Sequence, residues 1–435
     1  MDTKVYDCFV EILREELIPA MGCTEPIAIA YAAAKARELL GREPEHVLVR
    51  CSGNVVKNVK GVIVPKSEGM RGIEIAALLG IVGGNASDTL DVLEGVTHAD
   101  TLHAKELLRK GICRSELAEG VANLYLECTL EAGSDRCLVE ITRYHTNITR
   151  MERNGEILFE ATEEKETEND GRKAELSVRR ILEFADEMDP AELRDLLLRQ
   201  TECNSAIAAE GLRGDWGASV GKTILGNGMN VPVDIRAAAT AAAGSDARMN
   251  GCALPVVINS GSGNQGMAIS IPIEVYAEEW NVAEERKLRA LALANLLSVH
   301  QKKYIGSLSA YCGAVSAATA SACGIAYLYC AEHGIGADER YRILSGIITN
   351  AICTIGGMVC DGAKSSCAAK IAAAVRTALL AFDMSLAGRT FQPGEGLVFG
   401  DVEETIAAIG RMGREGMRET DVSVLNLMLA NNPEQ

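Results

Sequence analysis

From Lys4 to Leu40 the apolar residues recur three and four positions apart, which predicts two helices, interrupted between Pro19 and Pro26 by a loop that carries Cys23. The valine-rich stretch HVLVRCSGNVVKNVKGVIVP, residues 46–65, predicts two short strands around a turn at Ser52, Gly53 and Asn54. GMRGIEIAALLGIVGG then reads as a helix entered through Gly69 and left at Gly83 and Gly84. Residues 101–119 look helical, and residues 123–159 alternate apolar with polar like a meander, with turns at Ala132–Asp135 and at Asn154-Gly155. The charged stretch ATEEKETENDGRKAE, residues 161–175, reads as a solvated connector running into a helix. Helical periodicity continues from there to Leu429, broken by glycine-rich loops at Gly211–Gly228, Gly261–Gly266, Gly356–Gly362 and Gly394–Gly400.

These elements add up to an α+β fold: a mostly helical body, residues 1–44 and 166–435, with an inserted α+β block of short antiparallel strands, residues 45–165. The N-terminal helices are expected to pack into the helical body, and no fixed-period repeat is present.

With 48% hydrophobic and 24% charged residues in 435, the chain is globular rather than disordered. Its formal charge of −17 repels phosphate backbones and anionic lipid surfaces, so neither nucleic acid nor membrane is an expected partner. Tyr304–Ala331 is free of charge and long enough to cross a bilayer, but its Ser and Thr among Gly and Ala point to burial in protein. The N-terminus lacks the pattern of an export signal, so a cytoplasmic location is expected. A homodimer is expected on general grounds alone.

In that setting the 14 cysteines are expected to be free thiols or metal ligands. Nine of them (Cys8, Cys51, Cys113, Cys128, Cys137, Cys203, Cys252, Cys323 and Cys330) have no ligand-like neighbours in sequence and read as core residues. The other five are Cys23 in AMGCTEP, Cys312 in SAYCGAVSA, and Cys353, Cys360 and Cys367 in ICTIGGMVCDGAKSSC. They sit among glycines and small polar residues, where backbone can approach a cofactor closely. Tight CxxC pairs typical of structural zinc are missing. Widely spaced single cysteines suit an iron–sulfur cluster held by three thiolates, and packing against alanines is the plain alternative for Cys353 and Cys367.

The blocks GCTEPIAIAYAAA, SGNVVKNVKGVIVP, GMRGIEIAALLG, SGSGNQGMAISIPIEVYA, YIGSLSAYCGAVSAATA and GMVCDGAKSSCAAKIA, in this order from Cys23 to about Leu380, resemble the L-cysteine desulfidase family, which is related to the iron–sulfur L-serine dehydratase α chain. The resemblance implies a [4Fe–4S] lyase without PLP that takes L-cysteine to pyruvate, ammonia and sulfide; its serine dehydratase relatives remove water from L-serine. It carries the family's cluster cysteines onto Cys23, Cys312 and Cys360. The serine dehydratase relatives, which draw ligands from the C-terminal half, favour Cys312 with two of Cys353, Cys360 and Cys367. The resulting order is Cys312 and Cys360, then Cys367, Cys23 and last Cys353, with Cys23 alternatively a thiol on the substrate side.

An elimination also needs a carboxylate clamp and a base. The SGSGNQG loop offers backbone amides with Ser260, Ser262, Asn264 and Gln265, and Ser52 and Asn54 could add to it, with Lys57 and Lys60 as countercharges or as a solvated face. Neither this loop nor GASVGKT, residues 217–223, has the nucleotide-binding spacing. Lys364 and Glu25 are the candidate acid–base groups; Asp361 reads as a backbone-bonding residue and Glu74 as a helix-surface acid. Histidine chemistry is not evident: His46, His98, His103, His145 and His333 lie in polar stretches, and only His300 borders a charge-free block. The expected substrate is a small amino acid, with L-serine dehydratase and a non-catalytic cysteine or cluster sensor as the alternatives.

Overall fold

A computed structural model of the chain describes residues 1–161, 167–226, 230–306 and 308–431. Helix α1 (Thr3–Glu16) starts at Asp2, whose carboxylate accepts the Lys4 amide, and buries Phe9, Val10, Ile12 and Leu13. After the short strand β1 (Pro19–Met21), α2 (Thr24–Leu40) runs to Gly41, whose left-handed backbone ends it. Two helices around a break are as the periodicity implies. The alanine-rich α2 is buried on nearly every side, and it packs on the sheet block rather than in the helical body.

The sheet block begins with β2 (His46–Cys51), α3 (Gly53–Lys60), α4 (Ile73–Gly83), a 3₁₀ turn (Ala86–Asp91) and α5 (His98–Arg109). It continues with β3 (Cys113–Leu117), β4 (Tyr125–Ala132), β5 (Asp135–Thr142), β6 (Ile148–Arg153) and β7 (Glu156–Glu160). The strands form one sheet in the order β3-β2-β4-β5-β6-β7. Its meander and turns fall where the alternation put them, but β2 and β3 pair in parallel, so the sheet is mixed.

Two local expectations are overturned. Residues 53–60 are a helix, not a second strand: Ser52 caps it by accepting the Val55 amide, and Val55 and Val59 share its buried face. Residues 113–117 are a strand because the helix expected over 101–119 ends at Arg109, before Gly111 turns the chain at φ +71°.

Part of the charged connector, residues 162–166, lies outside the described residues. Beyond it come α6 (Thr167–Ala174), α7 (Val178–Glu187), α8 (Pro190–Arg213), α9 (Val220–Leu225), α10 (Val233–Met249), β8 (Pro255–Val257), α11 (Gly263–Glu279) and α12 (Glu284–Ile305). The chain ends with α13 (Ala314–Glu332), α14 (Ala337–Ile355), α15 (Cys367–Leu386), α16 (Val402–Arg411), a π-helical turn (Met412–Gly416) and α17 (Arg418–Ala430). Helix α13, uncharged except for its last residue, Glu332, is the axis of this body, wrapped by α11, α12, α14 and α15; it is long and apolar enough to cross a membrane, yet 89% of that stretch is buried inside the protein.

Gly211 is not in a loop but inside α8, at its crossing with α10. A Cβ there would stand 1.9 Å from the Ala243 carbonyl oxygen, so only glycine lets the two helices approach this closely. A two-stranded ribbon ties the halves of the chain together: β1 pairs antiparallel with β8, Ala20 opposite Val256. This ribbon lays the Gly22–Glu25 turn beside the SGSGNQG loop.

Candidate functional site

Two loops of the helical body hold the thiols. The segments before α13 and before α15 join through an antiparallel bridge, Tyr311 opposite Val359, with Cys312 N–H donating to Met358 O (2.9 Å) and Cys360 N–H to Ala310 O (2.6 Å). The bridge sets Cys312 and Cys360 side by side, their thiols hydrogen-bonded to each other. Cys367 opens α15 within electrostatic reach of both, its sulfur on the Gly362 carbonyl (3.5 Å). Gly362, at φ +89°, passes so close to α3 that a Cβ would meet the Lys57 carbonyl oxygen at 2.2 Å.

The charges around these thiols are cationic. Lys57, 1% exposed, is paired with Asp421 of α17. Its ammonium, with Lys370 and the Gly362 amide, reinforces the hydrogen bond from Cys312 in drawing the Cys360 thiol below the ordinary range against the effect of burial, while Cys312 is pushed up. Lys302, 6% exposed, is pulled down to about 8 by burial and faces the same two sulfurs. Lys364 is ion-paired to Asp361, which also holds Lys370, so among the described residues both serve to clamp the loop. Cys353 lies on α14 near Tyr311, and burial alone raises its thiol.

The other wall comes from the N-terminal turn. Cys23 packs against Val62, Met249, Ala363 and Cys367, and its thiol donates to Glu25 Oε2 (2.9 Å). Glu25 also accepts from Thr24 Oγ1 (3.2 Å) and Asn58 Nδ2 (3.0 Å), and it faces His145 Nε2 at 3.7 Å. Burial works against its charge, but His145 and the Cys23 thiol outweigh that and hold the carboxyl at about 2. His145, in the β5–β6 connection, was expected in a polar setting. Its side chain, 10% exposed, instead lies against Gly261, and Nε2 has no hydrogen-bond partner among the described residues. No sequence periodicity marks a residue that a hairpin end carries into a cleft.

The proposed carboxylate clamps divide. Ser260 is turned away, its amide on Glu16 (2.9 Å) and its hydroxyl on Asn259 (2.9 Å). Ser52 spends its hydroxyl on Asn123 O (2.7 Å) and the α3 cap. Ser262 precedes the first turn of α11. Asn54, Asn264 and Gln265 each bury a side-chain oxygen without a partner among the described residues, and Gln265 lies against Gly313, next to Cys312. Lys60 reaches only backbone carbonyls near the end of α17. Sequence reading passed over Arg248, at the end of α10; its Nε donates to Gly22 O (2.9 Å).

The three thiols thus come from three positions on two facing loops, with cations around them and a carboxylate–histidine pair opposite. Among the described residues, no three Cys, His, Asp or Glu side chains close on a point that could hold a single metal ion.

The serine dehydratase alpha chain family model matches residues 88–426. The UPF0597 proteins of Lachnoclostridium phytofermentans (46% identical, covering 98% of this chain and 100% of that one) and Treponema denticola (43%, 99% of each) align along nearly their full lengths. So does the UPF0597 protein of Desulfitobacterium hafniense, at 45% identity over 98% of this chain and 97% of its own. The chain belongs to the serine dehydratase alpha chain family, a family of lyase-type enzymes.

Proposed function

We propose that this protein is an iron–sulfur-dependent L-cysteine desulfidase, a lyase that cleaves L-cysteine by α,β-elimination to pyruvate, ammonia and sulfide. The observation that carries the proposal is the approach of Cys312, Cys360 and Cys367 to one another beside the ammonium groups of Lys57, Lys302 and Lys370. That donor set fits a [4Fe–4S] cluster: the three thiolates would hold it, and Lys57, Lys302 and Lys370 would offset its negative charge. When bound, such a cluster supplies an open iron as Lewis acid for the leaving group.

The rest of the reaction falls to the chain. His145 is the imidazole we assign to take the Cα proton, and Glu25, 3.7 Å from its Nε2, stabilises the imidazolium that results. A carboxylate held at about 2 is itself a poor base at neutral pH, so Glu25 orients His145 and Cys23. Lys364, paired with Asp361, keeps the cluster loop in place. Aminoacrylate, once released, tautomerises to the imine, which takes up water to give pyruvate and ammonia without a further catalytic residue.

Anaerobic reconstitution with iron and sulfide, followed by assay of L-cysteine and L-serine for pyruvate and separately for sulfide, tests the proposal. A cluster absorbance, sulfide from cysteine, and loss of both in Cys312→Ala and Cys360→Ala are expected. Pyruvate from serine alone would make the chain an L-serine dehydratase, as the family match also allows. No cluster and no product would overturn the proposal.

A further inference from the structure

Arg248 is 2% exposed, yet among the described residues it has no carboxylate partner, and its one hydrogen bond is from Nε to Gly22 O. A buried guanidinium without an anion is costly, because its lost hydration is repaid only by a counter-charge. The acids nearest in sequence and space are otherwise engaged. Asp246, one half-turn earlier on α10, accepts the Gly221 amide with Oδ2 (2.9 Å) and makes no ion pair with Arg248, and Glu25 is occupied by Cys23, Thr24 and Asn58.

The guanidinium instead lies against the first residue of α11. A Cβ on Gly263 would stand 2.6 Å from Arg248 Nε and 2.9 Å from Cζ, so the helix start is cut away to admit it. The amides of Gly263, Asn264 and Gln265 have no intrahelical acceptor at this end, and the helix dipole adds to the positive field there. Gln265, 5% exposed with its Oε1 unpartnered, reaches from the same turn to Gly313 beside Cys312. One helical turn therefore joins Arg248 to the thiol loops.

We propose that Arg248 and the first amides of α11 bind the α-carboxylate of the amino-acid substrate, with the side chain of the substrate directed towards Cys312. This assignment rests on the reading of the protein as an amino-acid lyase. It gives Gln265 and Asn264, whose free oxygens accept hydrogen bonds, the neighbouring α-ammonium group.

The test uses the reconstituted, anaerobic holoenzyme and equilibrium binding of L-alanine, which has the carboxylate and ammonium but no leaving group, against L-alaninamide, which lacks the carboxylate charge. Wild type is expected to prefer L-alanine. Arg248→Met should weaken L-alanine binding by roughly 30-fold or more, the scale of losing one partner of a buried charged pair, while changing L-alaninamide binding little. KM for L-cysteine should rise in parallel. Arg248→Lys keeps the charge but loses the two-pronged geometry, and should narrow the preference to an intermediate value; it decides the matter if Arg248→Met does not fold. An unchanged preference for L-alanine in a folded variant would overturn the assignment while leaving the lyase reading intact. Failure of wild type to bind any α-amino acid would overturn the lyase reading, and this assignment with it.

Discussion

Lys57 shows what the site asks of single residues. Its ammonium is almost wholly buried, faces the Cys360 sulfur, and has its ion-pair partner, Asp421, on a helix that contributes no buried residue of its own. Removing that partner strands a charge in the interior, so Asp421→Ala should lower stability by about 2–4 kcal/mol in chemical denaturation. Adding Lys57→Met should recover most of the loss, and a double-mutant cycle showing simple additivity would contradict this account. Asp246 is the converse case. Fully buried, it caps α9, and burial raises its carboxyl from 3.8 to about 6. The folded state therefore holds this proton more tightly than the unfolded chain, so the contribution is full below pH 4 and is lost as pH rises through 6. Asp246→Asn should remove a pH-dependent term on the order of 2–3 kcal/mol, seen in the difference between wild-type and variant melting curves from pH 4 to 7.

Among the elements, those with one dominant local pattern were legible and those set by distant partners were not. The meander could be read because β4 to β7 alternate and are joined by Gly133 and Gly155 turns. Residues 53–60 were misread because β-branched valines favour strands in isolation; the Ser52 cap and the packing of α3 on the loop around Gly362 decide for helix. The ribbon of β1 with β8 is only three residues long in each strand, too short to leave a signature. For that reason Arg248 escaped sequence reading, and His145 was read as lying in a polar stretch because only the β5–β6 hairpin end brings it inward, while the cysteine segments were conspicuous by their company. Helix contact also explains the chain's use of glycine. Gly211→Ala would drive a methyl group into the Ala243 carbonyl and should lower the melting temperature, at a cost of about 1–3 kcal/mol or more, without changing helix content by circular dichroism.

At the scale of the molecule, the α+β class followed from counting patterned segments, and the apolar character of α13 follows from its position at the centre of other helices. The packing of α2 did not, because an alanine-rich helix buried all round has no polar face to say which neighbours it takes. The pairing of Ala20 with Val256 has a consequence for the life of the chain. During synthesis the turn bearing Cys23 and Glu25 emerges early, long before β8, α11 and the segments bearing Cys312, Cys360 and Cys367 exist to receive it. Closing so long a loop is slow, and vectorial synthesis delays it further. Assembly of the cleft between these segments is thus a late event of biogenesis, and a ribosome stalled before Cys367 would carry a nascent chain whose N-terminal turn has nowhere yet to dock.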